Sequence, residues 1–286
     1  MTSKYKHVYI SPNEASTEPR AKRSLGQNFL QDANIARKIV GLLAVTPADS
    51  VLEIGPGPGA LSGIIQARNP ARLVLLEKDS HWAGERLREG RRQGGNISVI
   101  LTDALTMTWE RLVAPWKIIG NLPYNIASPL MWDIFSRSPG LTRAVFMIQK
   151  EVGQRITAMS GSSHYGALSV WVQSFMRARL EFVVPPQVFR PRPKVDSAVL
   201  SFEPLREAAF SSGGTGAGGF VPDALGRTLK MCFQMRRKQL GTILRANGCD
   251  ASRLEPLGIA PEARPETLTP EDFHRLSCAL YAVQNN

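Results

Sequence analysis

The sequence predicts an α/β fold, a mostly parallel sheet with crossover helices followed by a small α-helical domain, on three observations. Short apolar runs ending in turn residues alternate with helical patterns along most of the chain. One such run, Val51-Leu52-Glu53-Ile54, passes into the glycine-rich turn Gly55-Pro56-Gly57-Pro58-Gly59, the strand-to-turn arrangement with which Rossmann-like sheets hold nucleotide-like cofactors. Composition then breaks at 211–219, where glycine and serine cannot cheaply support regular structure.

Strands are expected at 51–54, 72–77, 97–101, 116–119 and 143–149, with helices near 60–68, 80–92, 128–137 and 150–159. Segments 177–184 and 195–202, joined by a proline-rich loop, read as a hairpin at the sheet edge and hence the antiparallel exception. Residues 209–222 are expected to be a flexible linker between a domain at 24–208 and a helical domain at 223–286. In the latter, 223–246 has helical periodicity, and Thr269-Pro270-Glu271-Asp272 supplies an N-cap, a proline at the first helical position and first-turn acids for a last helix. Residues 1–23, with Lys4, Lys6, Arg20, Lys22 and Arg23 among polar neighbours, read as a flexible basic leader.

The chain has 286 residues, 43% of them hydrophobic, enough for one large and one small domain. A formal charge of +11 favours an anionic partner, nucleic acid ahead of membrane because no long apolar span occurs. Cys232, Cys249 and Cys278 lack CxxC spacing, so neither a disulfide framework nor a zinc site is indicated, and a reducing cytoplasm fits. His7, His81, His164 and His274 show no ligand spacing, and no metal is expected.

Glycines at 55, 57 and 59 let the backbone turn tightly and approach a ligand where a Cβ would collide. Glu77 ends the second strand 22 residues after Gly55, near the spacing at which an acid meets a ribose diol. Asp103 follows the third strand, where its carboxylate could accept from an adenine amino group; the competing reading is a helix N-cap. No GxxxxGK[ST] occurs, the glycine spacing departs from GxGxxG, and Pro56 and Pro58 remove N–H donors a pyrophosphate would need. A cofactor without phosphate, such as S-adenosylmethionine, fits better.

Asn121-Leu122-Pro123-Tyr124, at a strand end, suits the exocyclic amine of a flat base. Adenine N6 is a poor nucleophile because its lone pair is delocalised into the ring. The Asn121 side-chain oxygen and the Leu122 carbonyl could each accept an N6–H and turn that lone pair toward a methyl donor, with Pro123 fixing chain direction and Tyr124 stacking on the base. Phe189 could offer a second aromatic face, or else pack beneath its proline-rich loop. Around it, Arg190, Arg192 and Lys194 would neutralise phosphates flanking a flipped base. Arg236, Arg237 and Lys238, expected on a helix without acids, would spread positive charge toward RNA.

From about residue 22 onward the chain resembles the KsgA/RsmA family of small-subunit ribosomal RNA adenine dimethyltransferases. The likeness rests on Ser24-Leu25-Gly26-Gln27-Asn28-Phe29-Leu30, Glu53-Ile54-Gly55-Pro56-Gly57, Asn121-Leu122-Pro123-Tyr124, Gln149-Lys150-Glu151-Val152, Tyr165-Gly166-Ala167-Leu168-Ser169-Val170, Pro193-Lys194-Val195-Asp196-Ser197-Ala198-Val199 and Phe233-Gln234-Met235-Arg236-Arg237-Lys238. The resemblance implies a class I methyltransferase sheet followed by an α-helical domain. It implies S-adenosylmethionine held by Asn28, Leu30, Gly55, Glu77, Asp103 and Asn121, with Gly57 beside them in the loop. The implied reaction is N6,N6-dimethylation of two adjacent adenosines in the 3′-terminal hairpin of 16S rRNA, late in assembly of the 30S particle. Ser24-Leu25 departs from the family's usual residues before Gly-Gln-Asn-Phe, and the leader and the 211–219 run are also unusual.

Two alternatives remain open at this point. An Erm-type 23S rRNA adenine methyltransferase shares the glycine loop and a similar Asn-X-Pro-Tyr, although Leu122, the 233–238 run and the 193–199 strand start favour the small-subunit family. A non-catalytic ribosome assembly factor would keep the pocket as a relic, against which intact Glu77, Asp103, Asn121 and Tyr124 argue. A monomer is the simplest expectation.

Overall fold

A computed structural model describes residues 27–94, 96–205 and 222–281; the basic leader, Ser24-Leu25-Gly26 and the 211–219 run lie outside the described residues. The chain divides into two compact units, Met1–Lys150 with Leu180–Phe202, and Glu151–Arg179 with Glu203–Asn286. This departs from the expected boundary, because segment 151–179 groups with the C-terminal helices rather than with the sheet that precedes it.

The strands, in chain order, are β1 (Phe29–Leu30), β2 (Ser50–Ile54), β3 (Arg72–Glu77), β4 (Ile97–Leu101), β5 (Trp116–Asn121), β6 (Leu141–Gln149), β7 (Met176–Val184), β8 (Phe189–Arg190) and β9 (Ser197–Pro204). Seven form one sheet in the order β4-β3-β2-β5-β6-β9-β7. The pairs from β4 to β6 are parallel and β9 runs antiparallel to β6, so the two late strands are neighbours at the sheet edge as expected. Central strands are buried continuously, as in Leu73 to Leu76 and Ala144 to Ile148, because helices cover both faces of a parallel sheet.

The first unit carries α1 (Ala33–Leu43), α2 (Ser62–Gln66), α3 (Ser80–Gln93) and α4 (Ala127–Arg137). Helix α1 was not among the expected elements. Its start is nonetheless encoded: the Asp32 carboxylate accepts from the Asn34 and Ile35 N–H groups at 2.8 and 3.0 Å. Ala36, Ile39, Val40 and Leu43 then bury one face.

What positions the site is the strand order. β2 pairs with β3 on one side and with β5 on the other, so the crossover direction reverses between β2 and β5, and the crevice beyond their carboxyl ends is where such folds bind ligands. Ile54 faces Gly120 across this seam. A Cβ on Gly120 would lie 2.8 Å from the Ile54 carbonyl oxygen, so only glycine allows the two strands to approach as they do.

The second unit contains α5 (Lys150–Ile156), α6 (Ala167–Phe175), α7 (Pro222–Gln234), α8 (Leu240–Ala246) and α9 (Pro270–Tyr281). The 223–246 periodicity does not form one helix. Leu240 and Gly241 donate instead to the Ala263 and Pro261 carbonyls at 2.8 and 2.9 Å, which starts α8 anew after a turn. The α9 signal is realised as a capping arrangement, with the Thr269 N–H and hydroxyl donating to Asp272 at 2.9 Å while the Asp272 N–H donates back to Thr269 Oγ1 at 3.2 Å. Among the described residues no helix is long and apolar enough to cross a membrane.

Candidate active site

Asn28, Gly55, Gly57, Glu77, Asp103, Asn121, Leu122 and Tyr124 line one cleft in the first unit. They arrive from five segments: the stretch before β1, the loop after β2, and the carboxyl ends of β3, β4 and β5.

The glycine loop alternates prolines, whose φ is fixed negative, with glycines at φ +66°, +50° and +93° for Gly55, Gly57 and Gly59. Gly57 must stay bare, because a Cβ there would stand 3.0 Å from Cε1 of Phe29, whose ring also meets Trp82 edge-on at 5.3 Å. Glu77 holds this loop from the neighbouring strand. Its Oε2 accepts from the Gly57 N–H at 3.0 Å, and its Oε1 accepts from Lys78 and Asp79 N–H groups, both at 2.9 Å. A carboxylate has about four acceptor directions, so these bonds leave about one, on Oε2, for a ligand hydroxyl rather than the pair expected from sequence. Burial outweighs the three N–H groups and raises the Glu77 carboxyl above its ordinary range.

Asp103 lines the cleft and takes the cap role foreseen for it. Its Oδ1 caps the following short 3-10 turn through the Leu105 N–H at 3.0 Å, and its Oδ2 meets the Lys78 ammonium at 2.7 Å. Partial burial pushes this carboxyl upward, but the Lys78 ion pair and the Leu105 N–H prevail and lower it, so it stays ionised. Lys78 was not anticipated. A lysine directly after a strand-end glutamate carries no signal by itself.

Asn121 ends β5, and its Nδ2 donates to the Asn28 carbonyl at 2.8 Å. With the amide nitrogen engaged, the orientation is set and Oδ1 is the acceptor left to the cleft. The Leu122 N–H donates to Met147 at 3.0 Å, whereas among the described residues no donor reaches its carbonyl. Pro123 accepts from both Ile126 and Ala127 N–H groups at 3.1 Å, which turns the chain into α4. Tyr124 is half-buried, and its hydroxyl lies 2.8 Å from Ser197 Oγ at the start of β9.

A third carboxylate stands in β2, just before the glycine loop. Glu53 is buried and accepts from Ser62 Oγ at 2.6 Å. Burial pushes its pKa up to about 7 against the Ser62 bond and the Arg86 charge, with the negative charge of Glu77 adding to the rise.

Several expected residues are placed elsewhere. Leu30 and Phe189 pair across the β1 and β8 ladder, and both side chains are buried in the core with Ile39, Val40 and Val184. Phe189 is 1% exposed and so presents no face to the cleft; packing beneath its loop has won over stacking. Leu30 likewise sends no side chain to the cleft, because apolar burial claims it. Arg190, Arg192 and Lys194 are exposed and pair with no carboxylate among the described residues. Arg236, Arg237 and Lys238 sit on the turn after α7, not on a helix face. Arg236 is already committed, its Nε to Glu266 at 2.8 Å and its Nη2 to the Ser163 carbonyl at 2.9 Å, leaving Arg237 and Lys238 as the exposed cations. Among the described residues no group of three or more His, Cys, Asp or Glu could hold a metal ion.

A family model described as ribosomal RNA adenine dimethylase matches residues 18–281. The ribosomal RNA small subunit methyltransferase A of Nitratidesulfovibrio vulgaris (strain Hildenborough) is 58% identical over 271 residues, covering 92% of this chain and 97% of the relative. That of Oleidesulfovibrio alaskensis is 56% identical over 275 residues, covering 95% of both chains. Among solved structures, a dimethyladenosine transferase from Plasmodium falciparum superposes with TM-score 0.72 at 26% identity, over 86% of this chain and 95% of that one. The 23S rRNA methyltransferase ErmE superposes with TM-score 0.62 at 25% identity, over 88% and 99%.

Proposed function

The chain belongs to the ribosomal RNA adenine dimethylase family, and from that premise we propose that it dimethylates N6 of two adjacent adenosines in the 3′-terminal hairpin of small-subunit rRNA, using S-adenosylmethionine. It acts on the 30S particle, in the cytoplasm, as a monomer.

One observation carries the chemistry. The Asn28 carbonyl takes the Asn121 Nδ2, so Oδ1 of Asn121 and the adjacent Leu122 carbonyl stand as two acceptors beside the glycine loop. Two acceptors match the two hydrogens of an adenine amine, and holding both favours a pyramidal nitrogen with its lone pair turned to the donor. Tyr124 stacks on the base, a contact worth roughly 1–3 kcal/mol. No general base is required, because the amine becomes acidic only on gaining the methyl group.

The cleft also suits the cofactor. Pro56 and Pro58 withhold N–H donors that a phosphate would need, and with the Asp103 charge paired to Lys78 the buried Glu77 carboxylate leaves the cleft no positive surplus for one, which favours a cofactor without phosphate. When bound, S-adenosylmethionine supplies an electron-poor methyl on a positively charged sulfur. Glu77 offers its remaining Oε2 direction to a ribose hydroxyl, Asp103 accepts from the adenine amino group, and Gly55 lets the backbone come close. Arg190, Arg192, Lys194, Arg237 and Lys238 contact rRNA phosphates.

The relatives that match nearly the full length at 56–58% identity carry the small-subunit name, which favours this reading over an Erm-type substrate. The deciding experiment incubates the protein with labelled methyl donor and undermethylated 30S particles and maps the modified nucleotides. Dimethyladenosine at two adjacent positions of the 3′-terminal hairpin is expected; label confined to large-subunit rRNA, or donor binding without transfer, overturns the proposal.

A further inference from the structure

Tyr124 is held at both ends. Its backbone lies three residues past the end of β5, after Leu122, whose N–H is bonded to Met147 on β6, and Pro123, whose carbonyl anchors the first turn of α4. Its hydroxyl is 2.8 Å from Oγ of Ser197, and either hydroxyl can donate to the other. Sheet order places β9 two strands from β5, which at about 4.8 Å per strand is roughly 10 Å, a gap that a tyrosine side chain largely spans.

Ser197 is 1% exposed, and its backbone pairs with Gln149 of β6, so the hydroxyl is fixed by the sheet and shielded from water. Such a buried hydroxyl requires a partner, and Tyr124 is the side chain that supplies it. The bond fixes the first side-chain torsion of Tyr124, and with it the place of the ring in the cleft. Nothing in the sequence around position 197 announces this, because the partners lie 73 residues apart.

We infer that Ser197 is a positioning residue that acts through the Tyr124 ring and governs the second of two methyl transfers to one nitrogen. This rests on the adenine-N6 reading. Each transfer forms an N6–C bond from the nitrogen lone pair, breaks the sulfonium S–C bond with its electrons going to sulfur, and releases one N6 proton to solvent. Before the first transfer, N6 carries two hydrogens for Asn121 Oδ1 and the Leu122 carbonyl. Afterwards one hydrogen remains, one acceptor loses its partner, and stacking on Tyr124 bears the larger share of holding the base.

The test uses the full-length protein with S-adenosylmethionine and undermethylated 30S particles, reading mono- and dimethyladenosine by nucleoside mass spectrometry over time. Ser197→Ala and Tyr124→Phe should each raise the monomethyl fraction several-fold, the double variant should do no worse than either, and Ser197→Thr, which keeps a hydroxyl, should restore dimethylation. Wild-type ratios in both single variants, or effects that multiply in the double, overturn the inference. A merely structural Ser197 would lower stability in urea and leave the ratio alone. Should Ser197→Ala not fold, Tyr124→Phe removes the same bond from the cleft side and decides by the same ratio. A wild type that yields no methyladenosine overturns the enzyme reading together with this inference, whereas a dimethylating wild type with unaffected variants overturns this inference alone.

Discussion

The Asn121 amide is oriented by the Asn28 carbonyl, 2.8 Å from its Nδ2, so the segment before β1 decides which atom of that side chain faces the cleft. The peptide oxygen of Asn28 accepts and cannot donate, which leaves a single stable orientation of the amide.

An aspartate at 121 would therefore fail for a reason beyond lost shape. Asn121→Asp places a carboxylate oxygen against the Asn28 carbonyl, two acceptors with no proton between them, and turns the side chain away. Single-turnover methyl transfer should slow by about 10²-fold, the scale of a misplaced catalytic contact. Asn121→Ala should slow both transfers and change the ratio of monomethyl to dimethyl product. Normal rates and ratios by nucleoside mass spectrometry would refute the role of the amide.

The seam between β2 and β5 makes a stability prediction. In Gly120→Ala the new methyl meets the Ile54 carbonyl oxygen at 2.8 Å and Leu122 Cδ2 at 3.0 Å, so urea denaturation should show a loss of about 1–3 kcal/mol. Gly63 lies in α2 and a methyl there meets nothing within 4 Å. Gly63→Ala should leave stability unchanged or raise it by up to about 1 kcal/mol. Equal losses in both variants would contradict the close approach of the strands.

The sheet and its crevice were legible because parallel strands are continuous apolar runs punctuated by turn residues, and because Gly55, Glu77, Asp103 and Asn121 each lie at or within two residues of the end of such a run. Helix α1 carries an equally clear cap at Asp32 and an apolar stripe, but it lies before the first long strand, outside the strand–helix alternation that marks the other elements. Leu30 and Phe189 were misplaced for another reason. In the two-residue strands β1 and β8 no periodicity exists to tell the inward face from the outward one, and their pairing sends both side chains into the core. Arg236 reads like its neighbours Arg237 and Lys238 until Glu266, 30 residues away, is brought beside it. Local sequence reveals where a chain turns; long-range pairing decides which side chains remain for function.

Glu53 and His274 should shape the pH dependence of stability in opposite directions. Glu53 titrates near 4.5 when unfolded and about 7 when folded, so between these values the folded protein binds the extra proton and stability falls as pH rises. His274, lowered by burial from 6.5 to about 4, binds its proton only when unfolded across that window, and stability rises with pH. In the wild type the two slopes largely offset each other from about pH 4.5 to 6.5. Glu53→Gln removes the falling one. Relative to wild type, the variant should gain on the order of 3 kcal/mol in urea stability between pH 4.5 and pH 8. Parallel curves for the two proteins would show that Glu53 does not titrate within that range.

The basic turn after α7 separates a brace from two contacts. Arg236 is tied to Glu266 and to the Ser163 carbonyl, a partly exposed ion pair with an added hydrogen bond, so Arg236→Ala should cost about 0.5–1 kcal/mol of stability. Its guanidinium is already neutralised by the Glu266 carboxylate, so removing it should leave the salt dependence of 30S binding nearly unchanged. Arg237 and Lys238 are exposed and have no such acid among the described residues. Replacing either with alanine should weaken binding and flatten the slope of log affinity against log salt by up to about 0.9, the value for one fewer released counterion. Measured across a salt titration, a slope that drops in Arg236→Ala but not in the other two variants would reverse this assignment and make Arg236 the phosphate contact.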